Sequence, residues 1–107
     1  MSTVSGTFRV TTPGITFRST FVIDKITHSF EGNFGGISIE PCSGVVTLTF
    51  ASVDDLSSNQ DFTGVIGRTT VKITLANGVA ISGNLDYPIT VGNAVTGSGK
   101  WIALKDS

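Results

Sequence analysis

From Arg68 to Pro88, apolar and polar residues alternate through two runs. Val71, Ile73 and Leu75 alternate with Thr70, Lys72 and Thr74. After Asn77-Gly78, Val79, Ile81 and Leu85 fall on one face and Ala80, Ser82, Asn84 and Asp86 on the other. A period of two is the mark of a strand with one buried face. Asn-Gly between two such runs predicts a tight hairpin, because both residues tolerate the positive φ of a type I′ turn. The stretch therefore predicts a central hairpin with one apolar face and one face of hydroxyls and amides.

The same alternation recurs along the chain. Phe8 and Val10 alternate with Thr7, Arg9 and Thr11, and Pro13-Gly14 predicts a turn. Ile15, Phe17, Phe21 and Ile23 then share a face opposite Thr16, Arg18, Thr20 and Asp24. Thr-Phe-Arg stands at both 7–9 and 16–18, as expected of two arms of one hairpin. His28–Gly36 carries three glycines and is expected to be a loop. Its Phe30 and Phe34 either cap the core or meet another subunit. Ile37 and Ile39 predict a short strand stopped by Pro41, and Val46, Leu48 and Phe50 the buried face of another. Ser52–Gln60 is the one expected helix, with Ser52 as its cap and Asp54 and Asp55 in its first turn. Ile89 and Val91 suggest a strand, Asn93–Gly99 a turn, and Lys100–Lys105 a last strand. The pattern predicts a single all-β domain: a seven- or eight-stranded antiparallel sandwich or barrel with one short helix near residues 52–60.

Composition changes the picture in one respect. The chain of 107 residues is 39% hydrophobic but only 14% charged, below the usual quarter. Thr, Ser, Gly and Asn take the place of charge on its surface. A net charge of −1 argues against electrostatic binding of nucleic acid. No apolar run reaches membrane-spanning length, and MSTVSGTF lacks the features of a signal peptide. Synthesis and assembly in the cytoplasm, without membrane association, are the expectation. Cys42, the single cysteine, allows neither an internal disulfide nor a cysteine zinc cage.

A search for catalytic chemistry finds little to build on. His28 is the single histidine, and neither HExxH nor GxSxG occurs. Asp54, Asp55 and Asp61 lack the spacing of a calcium loop, and the glycine-rich pieces lack the Lys-Ser/Thr of a phosphate cradle. The sequence predicts no enzyme, no metal and no cofactor. Trp101 beside Lys100 is either a sugar-stacking platform or a packed core or interface residue.

Gly44-Val45-Val46-Thr47, the acidic start Asp54-Asp55-Leu56-Ser57, and Thr70-Val71-Lys72-Ile73-Thr74-Leu75-Ala76-Asn77-Gly78 with its return strand follow one another between Gly44 and Asn84. In this order they resemble the tail tube proteins of contractile-tailed bacteriophages. The resemblance implies a virion protein forming stacked, typically hexameric rings, its sheets joined edge to edge around a channel for DNA. DNA would be passing cargo, and the partners would be further copies and sheath, baseplate or terminator proteins. Unpaired β edges must be paired, covered or charged, and this chain is poor in charge. Lys72, Thr74, Ser82, Asn84 and Asp86 would face the lumen, and Phe30, Phe34 and Trp101 would contact neighbouring subunits. The alternative is a carbohydrate-binding β module using Trp101 and Tyr87.

Overall fold

The computed structural model describes residues 2–105. Eight strands follow one another: β1 (Ser2–Val10), β2 (Thr16–Ile23), β3 (Ile26–Phe34), β4 (Cys42–Phe50), β5 (Asn59–Ile66), β6 (Thr70–Leu75), β7 (Ala80–Leu85) and β8 (Asn93–Lys105). All are antiparallel to their neighbours and close into a barrel in the order β1-β2-β3-β8-β5-β6-β7-β4. Closure satisfies the ladder on both sides of every strand, so the described residues leave no free sheet edge. The all-β expectation holds, and of its two forms the barrel is the one adopted.

The interior is a packed core, as expected of an eight-stranded barrel. Phe17 lies at its centre, with ring centroids 5.3 Å from Phe8, 5.9 Å from Phe30, 5.3 Å from Phe34 and 5.2 Å from Phe62. Val71, Ile73 and Leu75 enter from β6 and Ile81 from β7, on the face the alternation assigns to the core. At one end Ile39 and Ile89 plug the barrel from the β3–β4 and β7–β8 connections.

Several expected boundaries move. His28–Gly36 is no loop: Ile26–Phe34 forms β3, with His28, Phe30, Gly32 and Phe34 inward and Glu31 and Asn33 outward. The two-residue hairpin with both central φ positive belongs to Asp24 (51°) and Lys25 (66°) between β2 and β3. The Asn77-Gly78 connection is wider, and only Gly78 takes positive φ there. Ile37 and Ile39 lie in a connection, as do Ile89 and Val91. The expected helix is a single 3₁₀ turn, Val53–Asp55, in which Ser52 caps Asp54 N at 3.2 Å. It stops there because Asn59–Ile66 pairs with β8 on one side and β6 on the other. Asn93–Gly99 is the first half of β8, where inward glycines hide the alternation.

The strand order also reveals two like halves. β4-β1-β2-β3 and β8-β5-β6-β7 are both Greek keys, each with its fourth strand beside its first. The Thr16–Asn33 pair that opens β2–β3 matches Thr70–Asn84 in β6–β7. Likewise Phe34 N donates to Ile15 O as Leu85 N donates to Thr69 O, both at 2.9 Å. Ile39 N bonds Gly14 O at 2.7 Å, and Ile89 N bonds Arg68 O at 2.9 Å. Thr-Phe-Arg-Ser-Thr-Phe at the head of β2 corresponds to Thr-Val-Lys-Ile-Thr-Leu of β6. Glu40 and Thr90, each next after its plug isoleucine, meet across the end of the barrel: Thr90 N donates to Glu40 at 2.8 Å and Thr90 Oγ1 at 3.2 Å.

Candidate functional site

The residues expected at subunit contacts lie inside the barrel. Phe30 is fully buried, Phe34 is 6% exposed and Trp101 is 8% exposed. Trp101 packs against Phe30 at 5.2 Å, so it offers neither a sugar platform nor an interface surface. All three sit at inward positions of β3 and β8, where the pleat leaves them no route outward. His28 is also interior, and neither ring nitrogen has a hydrogen-bond partner among the described residues. Lys72, Thr74, Ser82, Asn84 and Asp86 do lie on one exposed outer face, along β6 and β7 and just beyond. Among the described residues no cluster of three or more His, Cys, Asp or Glu is placed to hold a metal, and no helix is long and apolar enough to cross a membrane.

A concavity lies on the outside of the barrel, over β1, β2, β3, β8 and β5. It is a groove of about 1080 Å³. Strand register places its outward side chains in three rows. The middle row runs Arg9, Arg18, Glu31, Lys100, Asn59. One flank is Thr16, Asn33, Ser98, Asp61, and the other is the Thr7–Thr20 pair, with Ser29 and Ile102 continuing its row beyond the groove. Two glycines lie in its floor. Gly32 and Gly99 are cross-strand partners facing inward, and a Cβ on either would run into the rings of Phe17 or Phe30. With no side chains at these two positions, the Phe17 and Phe30 rings pack directly against the β3 and β8 backbone beneath the groove.

The electrostatics of the groove differ from those of the chain. Three cations, Arg9, Arg18 and Lys100, face two carboxylates, Glu31 and Asp61, in a protein of net charge −1. Arg18 and Glu31 form an ion pair across β2–β3. Arg9 lies directly opposite Arg18 and has no carboxylate of its own among the described residues. Thr20 and Ser29 hydroxyls share a 3.2 Å hydrogen bond on the flank.

The like halves supply an internal control for these charges. In the matching row on the other side of the barrel, Val65, Lys72, Ser82, Thr47 and Ser5 replace Arg9, Arg18, Glu31, Lys100 and Asn59. That face folds with the same strand pairing and a single charge. The charged row is therefore no requirement of the fold.

A second depression of about 580 Å³ begins where the first ends, and the two share Arg9 and Thr11. It is walled by Glu40, Cys42, Tyr87 and Pro88. Burial, and then the Glu40 carboxylate, push the Cys42 thiol upward, so it stays protonated at neutral pH and is a poor nucleophile there.

Sequence reasoning missed the groove because no short motif marks it. Its members come from the consecutive strands β1–β3 and from the distant β5 and β8, and Asn59 and Asp61 lie in a strand the alternation did not reveal. The signal available was the outward set of each hairpin, above all Arg9 and Arg18 in the repeated Thr-Phe-Arg. Comparison with known proteins adds no assignment: no family model matches the chain, and neither a curated protein nor a solved structure shows significant similarity to it.

Proposed function

We propose that this chain is a binding module whose outer groove holds a hydroxyl-rich ligand, an oligosaccharide. The observation that carries the reading is the groove itself: a wide hollow lined by threonine and serine hydroxyls, asparagine amides and a charged row that the equivalent face lacks. Neutral and charged hydrogen-bonding groups in parallel rows suit a ligand that presents many hydroxyls. An apolar small molecule would find few apolar walls. An extended peptide adding to a sheet needs a free edge, and closure removes it. Nucleic acid calls for a larger excess of cations than three against two.

The test is a glycan panel probed with the purified protein and with the double variant Asn33→Ala/Ser98→Ala. Binding of the wild-type chain to at least one oligosaccharide, reduced about tenfold or more in the variant, is the expected result, since two neutral hydrogen bonds are worth about 0.5–1.5 kcal/mol each. Binding unaffected by the double variant would move the ligand to another surface.

A ring-forming tube subunit is the second reading, favoured by the resemblance and by the exposed, mostly uncharged face that carries Lys72, Thr74, Ser82, Asn84 and Asp86. With the barrel closed, rings would have to join through side chains and connections, with further copies and sheath or baseplate proteins as partners. Negative-stain electron microscopy at rising concentration separates the two: rings or tubes support the second reading, and a monomer at every concentration supports the first.

A further inference from the structure

We infer that the ligand is an extended oligosaccharide carrying an isolated acidic group, seated at Arg9, with its chain continuing over Tyr87. The inference rests on the proposed binding function and adds the ligand's charge, direction and length.

The acid group follows from the middle row. Arg9 and Arg18 are direct cross-strand partners, and like charges so placed destabilise a sheet. Glu31 relieves Arg18 by pairing with it and leaves Arg9 unmatched. The equivalent position beside Lys72 is Val65, so the fold imposes no second cation there. A ligand carboxylate over Arg9 supplies the missing countercharge, in the bidentate geometry guanidinium groups favour.

The acid must be isolated, because both ends of the path are negative. Asp61 closes the groove at β5, and Glu40 stands in the second depression with its carboxylate held by Thr90. A chain charged at every unit would meet repulsion at each end, whereas one acid group between neutral sugars would not.

The direction follows from the shared residues. Since Arg9 and Thr11 line both depressions, the two form one path around the barrel from β5 to β4. Neighbouring strands are about 4.8 Å apart, so the path across β5, β8, β3, β2, β1 and β4 is about 24 Å long. Tyr87 stands at its far end with 81% of its surface exposed, the one aromatic ring open to solvent there, and its face is suited to stack on a sugar ring.

Isothermal titration with three chains of equal length tests this: a neutral chitin oligosaccharide, a chitin oligosaccharide in which one internal sugar is replaced by glucuronate, and fully sulfated heparin. The singly acidic chain is expected to bind about tenfold more tightly than either other chain. Arg9→Gln should lower its affinity about tenfold or more, consistent with loss of a charged hydrogen bond, while Lys72→Gln on the opposite face leaves it unchanged. Tyr87→Ala should weaken long chains more than short ones. Equal binding of the neutral and singly acidic chains, or tightest binding of heparin, would overturn the inference and leave the proposed function standing. Failure of all three chains to bind would count against both.

Discussion

Replacing Phe17 by alanine is expected to cost about 3–5 kcal/mol of folding stability, the range for truncating a buried aromatic. Phe17 is 2% exposed and its ring meets those of Phe8, Phe30, Phe34 and Phe62, so its removal leaves a hole at the junction of four strands. The neighbours cannot close on it without moving strands whose ladders are satisfied on both sides. A domain of this size holds about 5–15 kcal/mol in total, so the loss is a large share of it. Urea unfolding at equilibrium reads the effect. A loss under about 1 kcal/mol would mean that the interior repacks freely and that the aromatic cluster does not set the barrel's shape. Because the same ring underlies Gly32 at the groove floor, ligand binding should weaken in any folded fraction.

Gly97→Ala is expected to be nearly as damaging, about 3 kcal/mol, for the opposite reason. Gly97 lies between Phe34 of β3 and Phe62 of β5, and a Cβ there would strike the Asn33 carbonyl. The obstacle is backbone, so relief requires β3 and β8 to part, which is the costly form of overpacking. Gly44, its counterpart in the other half, lies between Phe8 and Leu85 and is obstructed by Asn84 in the same way. Gly36→Ala is the control. Gly36 has φ +75° but open space around it, so only backbone strain of about 1 kcal/mol is at stake. Thermal unfolding of the two variants should rank Gly97→Ala far below Gly36→Ala. Equal melting temperatures would contradict the close approach of β3 to β8.

How much of this the sequence carried depends on what fills the inward positions. Where they hold Val, Ile, Leu or Phe, as in β6 and β7, alternation identifies the strand and its buried face residue by residue. Where they hold glycine, as at Gly32, Gly97 and Gly99, the same period is present but invisible, and β3 and the first half of β8 look like loops. Phe30 and Phe34 then seem to be aromatics in a loop, when they are core residues on either side of Gly32. Trp101 follows the same logic, since the inward register of β8 passes through Gly97 and Gly99. Closure was not legible either, because the β3–β8 and β4–β7 pairings that seal the barrel join distant parts of the chain. The likeness of the two halves was concealed by connections of unequal length, although Thr16, Arg18 and Thr20 match Thr70, Lys72 and Thr74 in type and order.

The groove shows why a site can be missed even where some of its residues, Arg9 and Arg18, are read as outward. Arg9, Arg18, Glu31 and Lys100 are each an ordinary exposed charge on a strand. Register alone brings them into one row, and comparison with Val65, Lys72, Ser82 and Thr47 distinguishes that row from solvated surface.

Amide NMR of the isotope-labelled protein, titrated with an oligosaccharide that it binds, tests the central claim most directly. The account predicts shift changes concentrated on the end of β1, the first half of β2, the groove residues of β3 and β8 (Glu31–Asn33 and Ser98–Lys100) and the start of β5, with β6 and β7 unmoved. Changes centred on β6 and β7, or spread evenly around the barrel, would contradict it.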